Sequence, residues 1–175
     1  VTDNTIQTGG ADKVLARGTD YTAAYSANTD AGTAVVTITG AGNYSGTITR
    51  TFSISRRPVT LTSASQTREY SGAALRNSEV TVTSGSFASG EGESYSVTGS
   101  QLDLGESNNS FTYALNSGTN AGNYNITTTV GKLTVSKITT PIVVTANSNS
   151  KTYDGTVLTD SGFTYTNGVL ASGDT

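Results

Sequence analysis

The sequence predicts an all-β chain built from repeated small units. Three observations carry that prediction: apolar residues alternate with period two, Gly- and Asn-rich turns punctuate the chain at short intervals, and one segment recurs 83 residues later.

Alternation is clearest in Ile48-Thr49-Arg50-Thr51-Phe52-Ser53-Ile54, Val80-Thr81-Val82-Thr83, Tyr95-Ser96-Val97-Thr98, Phe111-Thr112-Tyr113 and Leu133-Thr134-Val135. Such runs send one face to a core and a Thr- and Ser-lined face to water. Leu61, Val80, Val82, Val97, Tyr124, Ile126, Leu133 and Val135 are the expected inward positions. Between the runs lie Ser84-Gly85, Ser89 to Gly92, Gly105 to Asn109, Ser117 to Gly122 and Asn167-Gly168, all expected as turns because Gly and Asn tolerate positive φ. No stretch carries a helical period with caps.

The repeat is ungapped. Laying Pro58 to Gly92 over Pro141 to Thr175 matches Pro58 with Pro141, Tyr70 with Tyr153, Gly72 with Gly155, Leu75 with Leu158 and Ala88-Ser89-Gly90 with Ala171-Ser172-Gly173. Conservative pairs fill the gaps, among them Val59 with Ile142, Leu61 with Val144, Arg68 with Lys151, Val80 with Phe163 and Glu91 with Asp174. A weaker echo relates Asp30 to Thr39 with Asn120 to Thr129, after which the first copy carries an extra turn from Gly40 to Gly46.

The expected domains follow: 1–55 closes one unit, 56–136 is a complete unit, and 137–175 opens a third. Pro58 and Pro141 fall where a missing N–H is tolerated, at the start of a unit. The junctions are only a few residues long, which predicts a semi-rigid rod. The expected fold of each unit is a small β-sandwich of immunoglobulin-like kind or a β-grasp-like mixed sheet. Half units carry unpaired strand edges, so the ends are expected either to associate head to tail or to continue into a longer repeat protein, the second being preferred.

Composition narrows function. Only 34% of the 175 residues are hydrophobic and 13% charged, and the chain has no His and no Cys. Thiolate nucleophiles and His-based triads are thereby excluded from this segment, as are the common transition-metal ligands. Ten scattered basic residues and a net charge of −3 leave no basic footprint for nucleic acid. No apolar run approaches the roughly 20 residues of a membrane helix. No catalytic, cofactor-binding or metal residue is assigned, and no cofactor is expected.

Several groupings carry residue types with chemistry that ordinary structural roles also explain. Tyr153 and Asp154 in Lys151-Thr-Tyr-Asp-Gly155 could touch a sugar hydroxyl, but the counterpart Arg68-Glu-Tyr-Ser-Gly72 carries Ser71 in place of the acid. Turn chemistry accepts either residue, so a corner with the Tyr ring on the core edge is the favoured reading. Glu91 with Glu93, and Asp103 with Glu106, lack calcium-loop spacing and lie among Gly and Ser, where solvated charge is ordinary. Lys132 with Asn123 or Asn125, beside Glu79 or Glu106, has the residue types of a Lys–Asn isopeptide bond, which would require burying those charges. The nine Tyr and four Phe, with no Trp, fit core packing with a wet hydroxyl better than a sugar platform.

With those motifs in view, the chain resembles the tandem YDG-type and MBG-type repeat domains of large bacterial cell-surface and adhesin proteins. The resemblance rests on Lys151 to Gly155, on Gly173-Asp174, on Asn120-Ala-Gly-Asn-Tyr-Asn-Ile-Thr127, on Gly131-Lys-Leu-Thr-Val-Ser-Lys137, and on Gly18 to Ile54 as a neighbouring variant. It implies an extracellular, cell-surface location, a multi-copy architecture, and an adhesion role without catalytic residues. The function expected is a stalk or spacer. A module binding host glycans or surface proteins is the alternative, and an accessory domain of a secreted glycan-degrading enzyme a third reading.

Overall fold

The computed structural model describes residues 14–168 and 170–174. Among them the protein is all-β. Thirteen strands are present: β1 (Tyr21–Ser26), β2 (Gly32–Gly40), β3 (Thr47–Ile54), β4 (Arg57–Ser63), β5 (Gln66–Glu69), β6 (Val80–Gly85), β7 (Glu93–Val97), β8 (Gly105–Asn108), β9 (Phe111–Leu115), β10 (Tyr124–Thr129), β11 (Lys132–Ser136), β12 (Val143–Ala146) and β13 (Phe163–Asn167). The one helical element described is the single 3₁₀ turn Ala121–Asn123. No helix among the described residues is long and apolar enough to cross a membrane.

The strands form sheets ordered β1-β2-β3, β10-β4-β6 and β5-β11-β8, and the pairs β12-β13 and β7-β9. Sheet β5-β11-β8 is mixed, because β11 runs parallel to β5 (Leu133 opposite Gln66) and antiparallel to β8 (Leu133 opposite Ser107). Two compact units are distinguished: one takes residues through Val59 with Ser84–Gly92 and Leu115–Thr127, the other Thr60–Thr83, Glu93–Ala114 and Thr128 onward.

In the first unit the β1-β2-β3 sheet carries a long antiparallel ladder, with Ala34 opposite Phe52 and Ile38 opposite Ile48. Tyr124 is buried there, its ring centroid 4.9 Å from that of Phe87. In the second unit Leu75, Leu133 and Val135 form a buried cluster against which Tyr70 packs. Leu61 and Ser63 are buried as well. Asn109 is fully buried; its amide donates to the carbonyls of Ala64 and Asn77, both at 2.9 Å, while Ser63 Oγ donates to its backbone carbonyl at 2.7 Å.

Five of the eight expected core positions are buried: Leu61, Val80, Tyr124, Leu133 and Val135. Val97 and Ile126 are half-buried. Val82 is a correction. It is 39% exposed although it shares a strand face with Val80, because β6 is the edge strand of its sheet and loses cover toward its end. A second correction concerns Gly105 to Asn109, expected as a turn. Residues Gly105–Asn108 form β8, drawn into a ladder by β11, and Asn109 is interior.

Local geometry repeats with the sequence offset of 83 residues. The hydroxyls of Thr62 and Thr83 are hydrogen-bonded at 2.7 Å, and those of Thr145 and Thr166 at 3.3 Å. Ala64 N–H donates to Glu79 O at 3.0 Å as Asn147 N–H does to Gly162 O at 2.9 Å. The side-chain oxygen of Asn77 accepts from Glu79 N–H at 2.9 Å, and Asp160 accepts from Gly162 N–H at 2.7 Å. Gly85 and Gly168 both adopt φ 72°, where a side chain is strained, and a Cβ on either would collide with the carbonyl oxygen of Pro58 or Pro141 respectively.

Candidate functional site

Two surface hollows among the described residues have a tyrosine in their lining. The larger is a cleft of about 520 Å³ in the second unit, lined by Glu69, Tyr70, Ile138, Thr140, Leu170 and Ser172 among others. Tyr70 follows β5, and its main-chain N–H donates to Ser136 O at 2.8 Å, which holds the residue against the last strand of the cluster. Its hydroxyl donates to Asp174 Oδ1 at 3.2 Å. That hydrogen bond to a carboxylate, with desolvation, raises the Tyr70 pKa above its ordinary value. Glu69 accepts from Thr139 at both N–H (3.3 Å) and Oγ1 (2.6 Å). Glu69 and Tyr70 on this wall are therefore engaged in joining chain segments.

The smaller is a depression of about 210 Å³ on β7 and β9, lined by Ser94, Tyr95, Ser96, Thr112, Tyr113 and Ala114. Tyr95 and Tyr113 are exposed. Strand alternation identifies tyrosines that lie on a common face, but whether a face is covered depends on what packs over it. This two-stranded sheet leaves both rings open, contrary to the core role expected of strand tyrosines.

Of the groupings singled out in the sequence, most are spent locally. Asp154 Oδ1 accepts from Lys151 Nζ at 2.7 Å, Thr156 N–H at 2.9 Å and Thr156 Oγ1 at 2.8 Å. The Lys151 hydrogen bond, followed by those from Thr156, lowers the Asp154 pKa. This closes an Asx turn with Gly155 at φ 77°, as Gly72 stands at φ 71° in the counterpart. Tyr153, expected on a core edge, is 93% exposed; only its counterpart Tyr70 reaches a core, because only Tyr70 has a strand like β11 to pack against.

Glu91 accepts from the Tyr124 hydroxyl at 2.6 Å, and Tyr124 in turn accepts from Ala88 N–H at 2.9 Å. The Glu91 hydrogen bond is the largest influence raising the Tyr124 pKa. Glu93 is half-buried on β7. Asp103 is exposed, its main-chain carbonyl accepting from Gln101 Nε2 at 2.7 Å, and Glu106 accepts from Thr134 Oγ1 at 3.2 Å.

The isopeptide residues are not assembled in a core. Lys132 is exposed on β11 opposite Asn108, while Asn125 and Glu79 are exposed. Asn123 spends its amide on Asp30 Oδ1 (2.8 Å) and its carbonyl on Ala31 N–H (2.7 Å). No cluster of three or more His, Cys, Asp or Glu side chains suited to a metal ion occurs among the described residues. Asn109 was not singled out in the sequence, where it is one Asn in a polar run. Its neighbour Gly99, at which a Cβ would collide with it, is a local sign of close packing.

Comparisons leave the chain without a named relative. No protein-family model matches it, and neither a curated protein nor a solved structure matches significantly.

Proposed function

We propose that this chain is a non-catalytic stalk or spacer segment of a bacterial surface adhesin, working outside the cell as part of a tandem array of small β units. The observation that carries this reading is the recurrence of one set of turns and hydrogen bonds 83 residues apart. A spacer needs a backbone plan that repeats and faces that are free to vary. Within 56–136, the parallel pairing of β5 with β11 favours a grasp-like mixed sheet over a purely antiparallel sandwich.

The alternative, a glycan-binding module, is favoured by one feature, the Tyr95 and Tyr113 depression with its Ser and Thr hydroxyls. Apolar sugar faces stack on such rings. Glycan and extracellular-matrix protein arrays probed with the purified chain decide between them. The spacer reading expects no signal above background. A specific ligand whose binding disappears in Tyr95→Ala or Tyr113→Ala would replace it with the binding module.

A further inference from the structure

Two apolar faces are left open by the fold, and the complete segment between them supplies the pattern that closes them. On β12-β13, Val144 lies opposite Tyr165 and Ala146 opposite Phe163. Ile142, Val144, Phe163 and Tyr165 are all exposed, as is Leu158. Their counterparts 83 residues earlier are Val59, Leu61, Val80, Val82 and Leu75. All of these but Val82 are buried. In that earlier copy β4 takes β10 along one edge and β6 along the other, and β5 takes β11. Among the described residues β12 pairs with β13 alone, and residues 149–152, which correspond to β5, form no strand.

The second open face is on β1-β2-β3. Ile48 and Phe52 are exposed on β3, with Tyr25 of β1 in edge contact with Phe52 at 6.4 Å between ring centroids. By the sequence echo, β2 corresponds to β10, and the end of β3 with the two residues after it reads Thr51-Phe-Ser-Ile-Ser-Arg56 where β11 with the residue after it reads Lys132-Leu-Thr-Val-Ser-Lys137. Phe52 and Ile54 thus stand where Leu133 and Val135 stand in the cluster with Leu75.

We propose that the exposed β3 face of a second copy of this chain, carrying Ile48 and Phe52, closes the exposed face of β12-β13 and Leu158, giving head-to-tail association. The contact continues in trans the seam that Leu75, Leu133 and Val135 close within residues 56–136. Strand edges and apolar faces left unpaired are the usual route to such pairing. Because the two surfaces differ, the contact is heterologous and can propagate beyond a dimer. The proposal rests on the repeat reading, yet it fails separately from the spacer reading: a strictly monomeric chain that binds no glycan would still be a spacer.

Sedimentation velocity across a concentration series up to about 1 mM, the weak end of measurable affinity, tests it. The chain should show concentration-dependent species larger than a dimer. Phe52→Asp and Leu158→Asp, both at exposed positions, should each be monomeric alone, with unchanged circular dichroism. Mixed one to one, they should form a heterodimer and stop there, through the one intact pair of faces. Should Leu158→Asp perturb folding, Val144→Asp serves in its place, with the same expectation. A monomeric parent chain overturns the proposal, as does self-association retained by either variant alone, which would signify a face pairing with itself.

Discussion

Residues 57–92 and 140–174 share a sequence pattern and a set of turns, but one is folded into a core and the other is not. Leu75 is 1% exposed and its counterpart Leu158 is 44% exposed; Leu61 is 0% and Val144 55%. The hydrogen bonds that match between the two copies link residues within the copied segment itself. The burial that differs depends on β10 and β11, which pair with β4 and β5; among the described residues no equivalent strand pairs with β12. Turn and hairpin geometry is thus written locally, whereas burial is a property of strands arriving from elsewhere in the chain.

The largest expected effect comes from removing the same side chain in both copies. Leu75→Ala should destabilise the fold by about 2–5 kcal/mol, the usual cost of a buried Leu, whereas Leu158→Ala should change it by less than about 0.5 kcal/mol, as at ordinary surface sites. Urea denaturation measures both, and equal losses would break the comparison.

Asn109→Ala comes next. Its amide covers the carbonyls of Ala64 and Asn77, whose counterparts Asn147 and Asp160 receive no such bond from the described residues. Leaving these part-buried carbonyls without their donor should cost about 1–3 kcal/mol in all. A loss in that range, read by the same denaturation, would show that the closing segment contributes polar as well as apolar cover.

How much of this was legible in the sequence follows the same line. The alternating runs at Ile48 to Ile54, Val80 to Thr83 and Leu133 to Val135 are strands, and the Asp154-Gly155 corner is a turn, because period and turn chemistry are local signals. Strands β5 (Gln66–Glu69) and β8 (Gly105–Asn108) were not legible. Both are polar and carry no hydrophobic alternation; they become strands by pairing with the two edges of β11. Likewise the sequence marks Tyr70 and Tyr153 as equals, and only the arrival of β11 beside β5 separates them. The open rings of Tyr95 and Tyr113 were missed for the converse reason: their alternation is regular, and nothing described covers their sheet face.

A smaller effect concerns alkaline pH. Because Asp174 raises the Tyr70 pKa in the folded state, the stabilisation from this hydroxyl is complete below the ordinary tyrosine value of about 10 and is lost as pH rises through the folded value. Tyr70→Phe should flatten part of the decline in melting temperature above that pH. On the acid side, the lowered Asp154 pKa makes its turn contribute above the ordinary carboxylate range, and that contribution fades as pH falls through the lowered value. The shift in melting temperature of Asp154→Asn relative to the parent should therefore shrink toward low pH.

Amide hydrogen exchange, measured on dilute protein so that copies do not associate, bears most directly on the dependence of burial on the closing strands. Amides of β4 and β11 should exchange only through global unfolding, and those of β12 and β13 through local opening, faster by several orders of magnitude. Equal protection of β4 and β12 in the monomer would contradict the account, since it would mean that the local hairpin geometry is sufficient for stability without the strands that close residues 56–136.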